Sequence, residues 1–351
     1  MPYPLRLLSE AGQAVLTAHG VPSVAAASVM DVLVAAEARG FSSHGLLRLP
    51  RIVAGIVSGA IVPAAEPSID FASRCCLRVN GRQAPGPYAA RLTMNAVVSW
   101  AKTDGLCLAS ASGMSHFGFG GYYADMAAAE GLVGLVLCNT QPAAGPFGGQ
   151  SKVLGTNPIS FSCPTGEPGG VPLSLDMATT AAARGLLLSH KLRSEPLPPD
   201  IAAGPDGGMT TDPDEALAGF LLPLGGAFGF KGTGLALMVD ILSGALSGAA
   251  TGLRVKGTLD AETPCTAGFL FLALDPAFFC GRERFLAEVD RLVADMRGAG
   301  PDVRLPGERG HARAKRAARE GVELPQALVA RLRALEAEAG VCVLSRSGDA
   351  S

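Results

Sequence analysis

Between residues 75 and 140, short apolar runs that read as strands alternate with longer stretches of helical period. CCLRVN (75–80) is followed by a helix over 87–103, then LCLASAS (106–112). After the loop GMSHFGFGG come a helix, YYADMAAAEG, and a strand, GLVGLVLCNT (131–140). Two parallel strands cannot be joined by a tight turn; they need a crossover of about a dozen residues or more, usually a helix. The alternation therefore points to a βαβ-like layered sheet and an α/β fold. NPISFSCP, VPLSLDMAT and the buried run FLFLALDP (269–276) supply further strands.

The two ends read differently. Residues 4–19 and 23–39 have helical period, broken at Gly20-Val21-Pro22-Ser23, with Ser23 suited to an N-cap. A third helix is expected from Ser43 to about Gly59, and from 282 onward the chain is helical and charged. Residues 194–214 are rich in Pro, Gly and Asp without period and read as a long surface loop. The apolar stretch Gly232 to Gly252 contains Asp240 and several glycines, so it reads as a buried helix rather than a membrane span.

Composition removes several function classes. The chain is 48% hydrophobic and 17% charged, which suits a large core and not a disordered chain. A net charge of −2 with no basic stripe argues against nucleic acid as a partner. The eight cysteines are scattered without a CxxC or Cys/His cluster. Zinc is not expected, and the cysteines read as reduced packing residues of a cytoplasmic protein. The start, MPYPLRLLSEAGQAVL, lacks the apolar run of a signal peptide.

The chemistry-bearing residues lie in turns. In Ser43-His44-Gly45-Leu46-Leu47-Arg48, a helix starting at Ser42 or Ser43 would set His44 and Arg48 four residues apart on one face. Imidazole titrates nearest neutrality and suits proton transfer; guanidinium forks a carboxylate. The plainer reading is a helix-start His, an N-cap Ser43 and a surface Arg. The loop 113–121 lies between strand and helix, where backbone N–H groups favour an anion. It fails GxGxxG, and the next strand ends in Asn139-Thr140 without an acid, so a Rossmann site is not supported. GMSHF also lacks the closing glycine of a hydrolase elbow. The turn at Gly155-Thr156-Asn157-Pro158, the acid Asp176 at a strand end and Phe230-Lys231 in a glycine-dense loop are each weak alone. Asp176 could equally cap a helix. Together they suggest a ligand cleft. The basic run after Gly307-Glu308-Arg309 reads as a solvated helix face or a phosphate contact.

Six blocks in order resemble the type 2 malate/L-lactate dehydrogenase family: SSHGLLRLPRIVAGIVSGAI, SHFGFGGYYADMAAAEGLVGLVLCNT, GTNPISFSCP, LDMATTAAARG, GFKGTGLALMVDILSGALSG and LPGERG. The family also holds ureidoglycolate, sulfolactate and diketogulonate enzymes and reductases of cyclic imino acids. The resemblance covers roughly residues 5–345. It implies a non-Rossmann NAD(P)-binding fold with a mixed sheet and a helical subdomain from both termini: 1–70 packing with 300–351, and 71–299 binding the cofactor. It implies a homodimeric oxidoreductase that moves hydride between NADH or NADPH and a small 2-oxo/2-hydroxy acid. His44 would be proton donor and acceptor, supported by Ser43 and Asp176, and Arg48 would bind the substrate carboxylate. His116, Phe117, Gly118, Gly120, Thr156, Asp176, Met177, Ala178, Thr179, Phe230, Lys231, Gly307 and Glu308 would line the NAD or NADP site. Reduction of a cyclic imino acid (Δ1-piperideine- or pyrroline-2-carboxylate) is the alternative; a non-catalytic cofactor-binding protein of the same fold is a second. Ser115, Thr233 and Phe147 depart from the commoner family residues and bear on substrate and cofactor choice.

Overall fold

The computed structural model describes residues 2–344 apart from 168, 169 and 259. The chain opens with helices α1 (Leu5–Ala18) and α2 (Ser23–Arg39), the second closed by Gly40 in the left-handed conformation. Pro22, not Ser23, occupies the cap position of α2, and no side chain caps it. After two short 3-10 turns comes α3 (Leu49–Val57).

The middle of the chain carries β1 (Ser68–Ser73), β2 (Cys76–Ala84), α4 (Gly86–Asp104), β3 (Leu106–Met114), α5 (Gly120–Ala129), β4 (Val133–Cys138), β5 (Ile159–Cys163) and β6 (Leu173–Met177). The expected surface loop at 194–214 is more structured than its composition implied. It is preceded by α6 (Arg184–Arg193), holds β7 (Ala202–Ala203), and runs into α7 (Pro213–Ala218) and β8 (Phe220–Leu221). Leu197 and Ala202, hidden among its prolines, close a small core with Ala216 of α7, Leu187 and Leu221. Then follow α8 (Phe230–Val239), β9 (Gly268–Leu274), α9 (Arg282–Gly298), α10 (Glu308–Glu320) and α11 (Gln326–Glu338). The expected buried helix over 232–248 stops at Val239 and continues as a π turn, Asp240–Ala245. Buried Asp240 there accepts from Asn139 Nδ2 at 2.6 Å and from the Gly252 amide at 3.1 Å. Among the described residues no helix is long and apolar enough to cross a membrane.

The seven strands form one mixed sheet in the order β1-β2-β3-β9-β4-β5-β6. The expected βαβ unit is β2–α4–β3, the one parallel strand pair within this sheet. β3 and β4, consecutive in the alternation, do not touch. β9 enters between them and runs antiparallel to both. Its side chains alternate accordingly: Phe269, Phe271 and Ala273 join the main core beneath α4 and α5, while Leu270 and Leu272 pack with Val239 and Leu137 on the other face. A second core gathers α1, α2, α3 and α11 through Leu16, Met30, Leu33, Leu49 and Leu332.

Candidate active site

The segment expected to be one helix from Ser43 is broken. Residues 42–44 and 46–48 are separate 3-10 turns, and Gly45 between them has φ −89 and ψ −143. The cause lies in α2. Buried Glu37 accepts from the Leu46 amide at 3.0 Å, and a Cβ on Gly45 would lie 2.2 Å from the Glu37 carboxylate. His44 and Arg48 therefore do not share a regular helix face. Their meeting depends on this turn: Arg48 Nε donates to the Ser43 carbonyl at 2.7 Å, and Ser43 Oγ lies 2.9 Å from His44 Nδ1.

His116 comes to the same place from the β3–α5 loop. Its ring centre is 5.7 Å from that of His44, and both rings feel the Arg48 charge. The loop that carries His116 packs tightly on the start of α4, where a Cβ on Gly86 would lie 2.1 Å from the Ser115 carbonyl. Ser115 Oγ accepts from the Gly86 amide at 2.8 Å. His116 Nδ1 accepts from the Gly118 amide at 3.2 Å, which fixes a neutral ring's proton on Nε2. Burial, then the Arg48 charge, pushes His44 down to about 3; His116 is driven well below the usual imidazole range by burial and by Arg48, His44 and Arg51. Phe117, read as a cofactor contact, turns inward instead. It is buried, stacks on Tyr123 at 5.2 Å and packs on Phe269.

Asp176 lies on β6 beneath the N-terminus of α5. Its carboxylate accepts from Ser160 Oγ at 2.7 Å and from the Gly121 amide at 3.2 Å. Gly120 and Gly121 allow this approach, since Cβ atoms there would lie 2.2 Å from Ser160 Oγ and 2.9 Å from Asp176 Oδ2. Burial pushes Asp176 up to about 6, partly offset by the Ser160 and Gly121 hydrogen bonds. These partners correct the expected support of His44: Ser43 holds the imidazole, and Asp176 caps α5. They also correct the reading of 113–121 as an open anion cradle, because the Gly118 and Gly121 amides are already taken by His116 and Asp176.

Beyond Asp176 the remaining candidates form a connected ledge. The Thr156 carbonyl accepts from the Thr179 amide and hydroxyl at 2.9 and 3.0 Å, and the Thr179 carbonyl accepts from Leu224. Thr179 is fully buried and acts as the fastening; Met177 and Ala178 beside it stay half-exposed. Gly232 packs on Leu224, which sets Phe230-Lys231 at the rim. There Phe147, Phe228 and Phe230 stand more than half or about half exposed, in edge contact with one another, and the Lys231 ammonium lies 5.4 Å over the Phe228 ring. Exposed aromatic faces beside a lysine without an ion pair among the described residues suit a flat base and an attached phosphate. The ledge thus fits a nicotinamide dinucleotide.

Gly307 and Glu308 lie at the start of α10. Gly307, at φ +89, packs against Ser174 at the start of β6, where a Cβ would come within 2.7 Å of the Ser174 Cβ. Glu308 accepts from Leu305 and Arg297, both at 3.0 Å. The basic run that follows is α10, with Arg309, Lys315, Arg316 and Arg319 exposed.

Sequence reasoning missed four groups here. Arg51 and Asp260 line the His116–Arg48 cleft. Arg184, at the start of α6, reaches it electrostatically through Arg51, and Ser160 holds Asp176. Arg51 was visible one turn after Arg48; the others come from distant segments with no local signature.

The model of the malate/L-lactate dehydrogenase family matches residues 4–333. The malate/(S)-sulfolactate dehydrogenase of Methanothermus fervidus is 38% identical over 93% of this chain and 95% of its own length. A (2R)-3-sulfolactate dehydrogenase (NADP(+)) of Chromohalobacter salexigens is 37% identical over 92% and 94%. The solved sulfolactate dehydrogenase of Methanocaldococcus jannaschii superposes with a TM-score of 0.91 over 98% of both chains at 34% identity. A match of this extent in sequence and in fold establishes that the chain belongs to the malate/L-lactate dehydrogenase family.

Proposed function

We propose that this chain reduces a small 2-oxo acid to the 2-hydroxy acid, and catalyses the reverse, with His44 moving the proton at the C2 oxygen. The observation that carries this is the pairing of His44 and His116 beside Arg48. The nicotinamide coenzyme, NADH or NADPH, supplies or takes the hydride at C2. Arg48, tethered through Nε to the Ser43 carbonyl, keeps its terminal nitrogens for the substrate carboxylate. Ser43 engages His44 Nδ1, so Nε2 is the atom left to face the oxygen. His116 offers Nε2–H as a neutral donor to that oxygen. At pH 7 His44 is neutral, the state that accepts a proton from a hydroxy acid. A carboxylate at Arg48 offsets the guanidinium charge and raises the imidazole toward the state that donates. Leu33, Ile52 and Ile61 line the cleft and keep water from the reacting carbon.

His44→Ala is expected to lower kcat by roughly 10²–10⁴, the usual range for losing a general acid, with coenzyme affinity little changed. The assay is a panel of 2-oxo acids and cyclic imines followed by NADH and NADPH oxidation. Unchanged kcat in the variant removes His44 from the reaction. Turnover of imines alone selects the imino acid reading, and coenzyme binding without any turnover selects the non-catalytic one.

The functional unit proposed is a homodimer. Leu237, Ile241 and Leu246 form an exposed apolar stripe running from α8 through the π turn to its end, with open space at Gly234. A second copy of the chain is the partner the family resemblance implies, and such a stripe is the kind of face it covers.

A further inference from the structure

His44 and His116 reach the cleft from opposite sides of a boundary. His44 follows α2, which places Met30 and Leu33 in the helical core; His116 precedes α5, which places Tyr123 and Ala127 in the core of the sheet. Apolar contact brings the two parts together: a Cβ on Gly118 would lie 2.4 Å from Val32 of α2. Such packing is non-directional. By itself it does not fix the register of α2 against α5, and the 5.7 Å between the two imidazole rings depends on that register.

A directional contact lies at the same boundary. The Arg39 guanidinium, at the end of α2, pairs with the Asp125 carboxylate of α5 at 2.7 Å, and the two side chains are only 15% and 12% exposed. Ser162 of β5 and Ser174 of β6 donate to the other Asp125 oxygen, so the carboxylate is fixed to the sheet. His311 of α10 lies 3.6 Å from the paired oxygen, and burial and the Arg39 charge hold it below the usual imidazole range. From Arg39 the contact runs toward both histidines. Its guanidinium lies 5.4 Å over the Phe119 ring, and Phe41 meets that ring edge-on at 5.5 Å. The Phe41 carbonyl accepts from the His44 amide at 2.8 Å. Phe119 belongs to the loop that carries His116.

A buried ion pair adds little net stability, because desolvation offsets the attraction; its best-attested use is to fix register. Resting on the reading of His44 as the proton-moving group, we infer that Arg39 and Asp125 are positioning residues: their ion pair, acting through Phe41 and Phe119, sets His44 in register with His116. Neither side chain lines the cleft. Neither belongs to the ledge that fits the coenzyme.

The test measures Arg39→Gln, Arg39→Lys and Phe41→Leu well below their melting temperatures. Misplacement by about 1 Å costs on the order of 10²-fold, so Arg39→Gln should lower kcat by about 10-fold to 10²-fold while KM for the coenzyme holds. Arg39→Lys keeps the charge and should recover most of the rate. In a His44→Ala background Arg39→Gln should cost nothing more, because the group it positions is gone. Wild-type kcat in a less stable Arg39→Gln, no recovery in Arg39→Lys, or an additive loss in the double variant overturns the inference and leaves the 2-oxo acid reading standing. Phe41→Leu leaves the charges paired; should Arg39→Gln not fold, a lower kcat with the coenzyme KM held in Phe41→Leu supports the inference, and a wild-type kcat rejects it. Carbethoxylation of histidines by diethylpyrocarbonate, read by peptide mass, reports register without turnover. Either variant should quicken modification of His44 and leave His19, at the end of α1, unchanged. An unchanged His44 rate, or an equal rise at His19, rejects the positioning role. If His44→Ala keeps the wild-type kcat, the proton-transfer reading fails and this measurement alone decides whether the ion pair sets the register.

Discussion

At the residue scale, the site separates two groups that sequence reasoning had joined. His44 and Asp176 both titrate abnormally, in opposite directions and for one main cause, burial of the charged form. Asp176 keeps its proton in the folded protein up to about pH 6, whereas an unfolded aspartate releases it near 3.8. The stability this group contributes is complete below the lower value and lost as pH rises through the upper one. In Asp176→Asn, the melting temperature relative to wild type should therefore rise from pH 4 to pH 7; a flat difference would mean the carboxyl is not desolvated. His44 works the other way. Its folded value of about 3 against 6.5 unfolded means stability is lost as pH falls between them. Neither shift is legible in the sequence, which shows a His after a Ser and an acid at a strand end and gives no burial for either.

At the element scale, the decisive feature is the interruption of the expected helix at Gly45. The run SSHGLLRLPRIVAG has helical period, and the periodicity is right from Leu49 onward. What breaks it is a carboxylate eight residues upstream. Glu37 takes the Leu46 amide, and only a residue without Cβ lets the turn come that close. Gly45→Ala is expected to lower stability by about 1–3 kcal/mol, the range for overpacking a tight contact, and to reduce kcat with it, since the turn aims both His44 and Arg48. Denaturant unfolding and steady-state rates on the same preparation check this; a stable variant with a normal rate would show that the turn tolerates a methyl group. The same limit applies to β9. Its apolar run announced a buried strand, but its position between β3 and β4 depends on pairing over more than 120 residues, which no local pattern encodes.

At the scale of the whole molecule, the helical core of both termini and the sheet core are joined by a polar contact. Arg39 of α2 pairs with Asp125 of α5 at 2.7 Å, and His311 of α10 lies 3.6 Å from the same carboxylate oxygen. Ser162 and Ser174 donate to the other oxygen, so β5 and β6 are tied in as well. The basic stretch read as a possible phosphate contact thus owes His311 to this joint, while its arginines face solvent. The exposed stripe along α8 makes the proposed dimer testable. Sedimentation should give twice the 35.7 kDa chain mass, and Leu237→Glu with Ile241→Glu should shift it to one chain. A wild-type monomer would discard the proposal.

The sequence by itself determined the family, the α/β class, the helical ends and the segments that bear chemistry. These follow from periodicity and from ordered local blocks, which are properties of neighbouring residues. The tertiary structure alone decided that β9 splits β3 from β4, that Ser43 engages the His44 ring while Asp176 takes Ser160 and the Gly121 amide, that Phe117 belongs to the core, and that Arg48, Arg51 and Asp260 share a cleft. Each of these depends on the approach of residues far apart in the chain and on the burial that approach produces. Charge balance and imidazole ionisation respond to that burial, and one residue's neighbours in sequence do not report it.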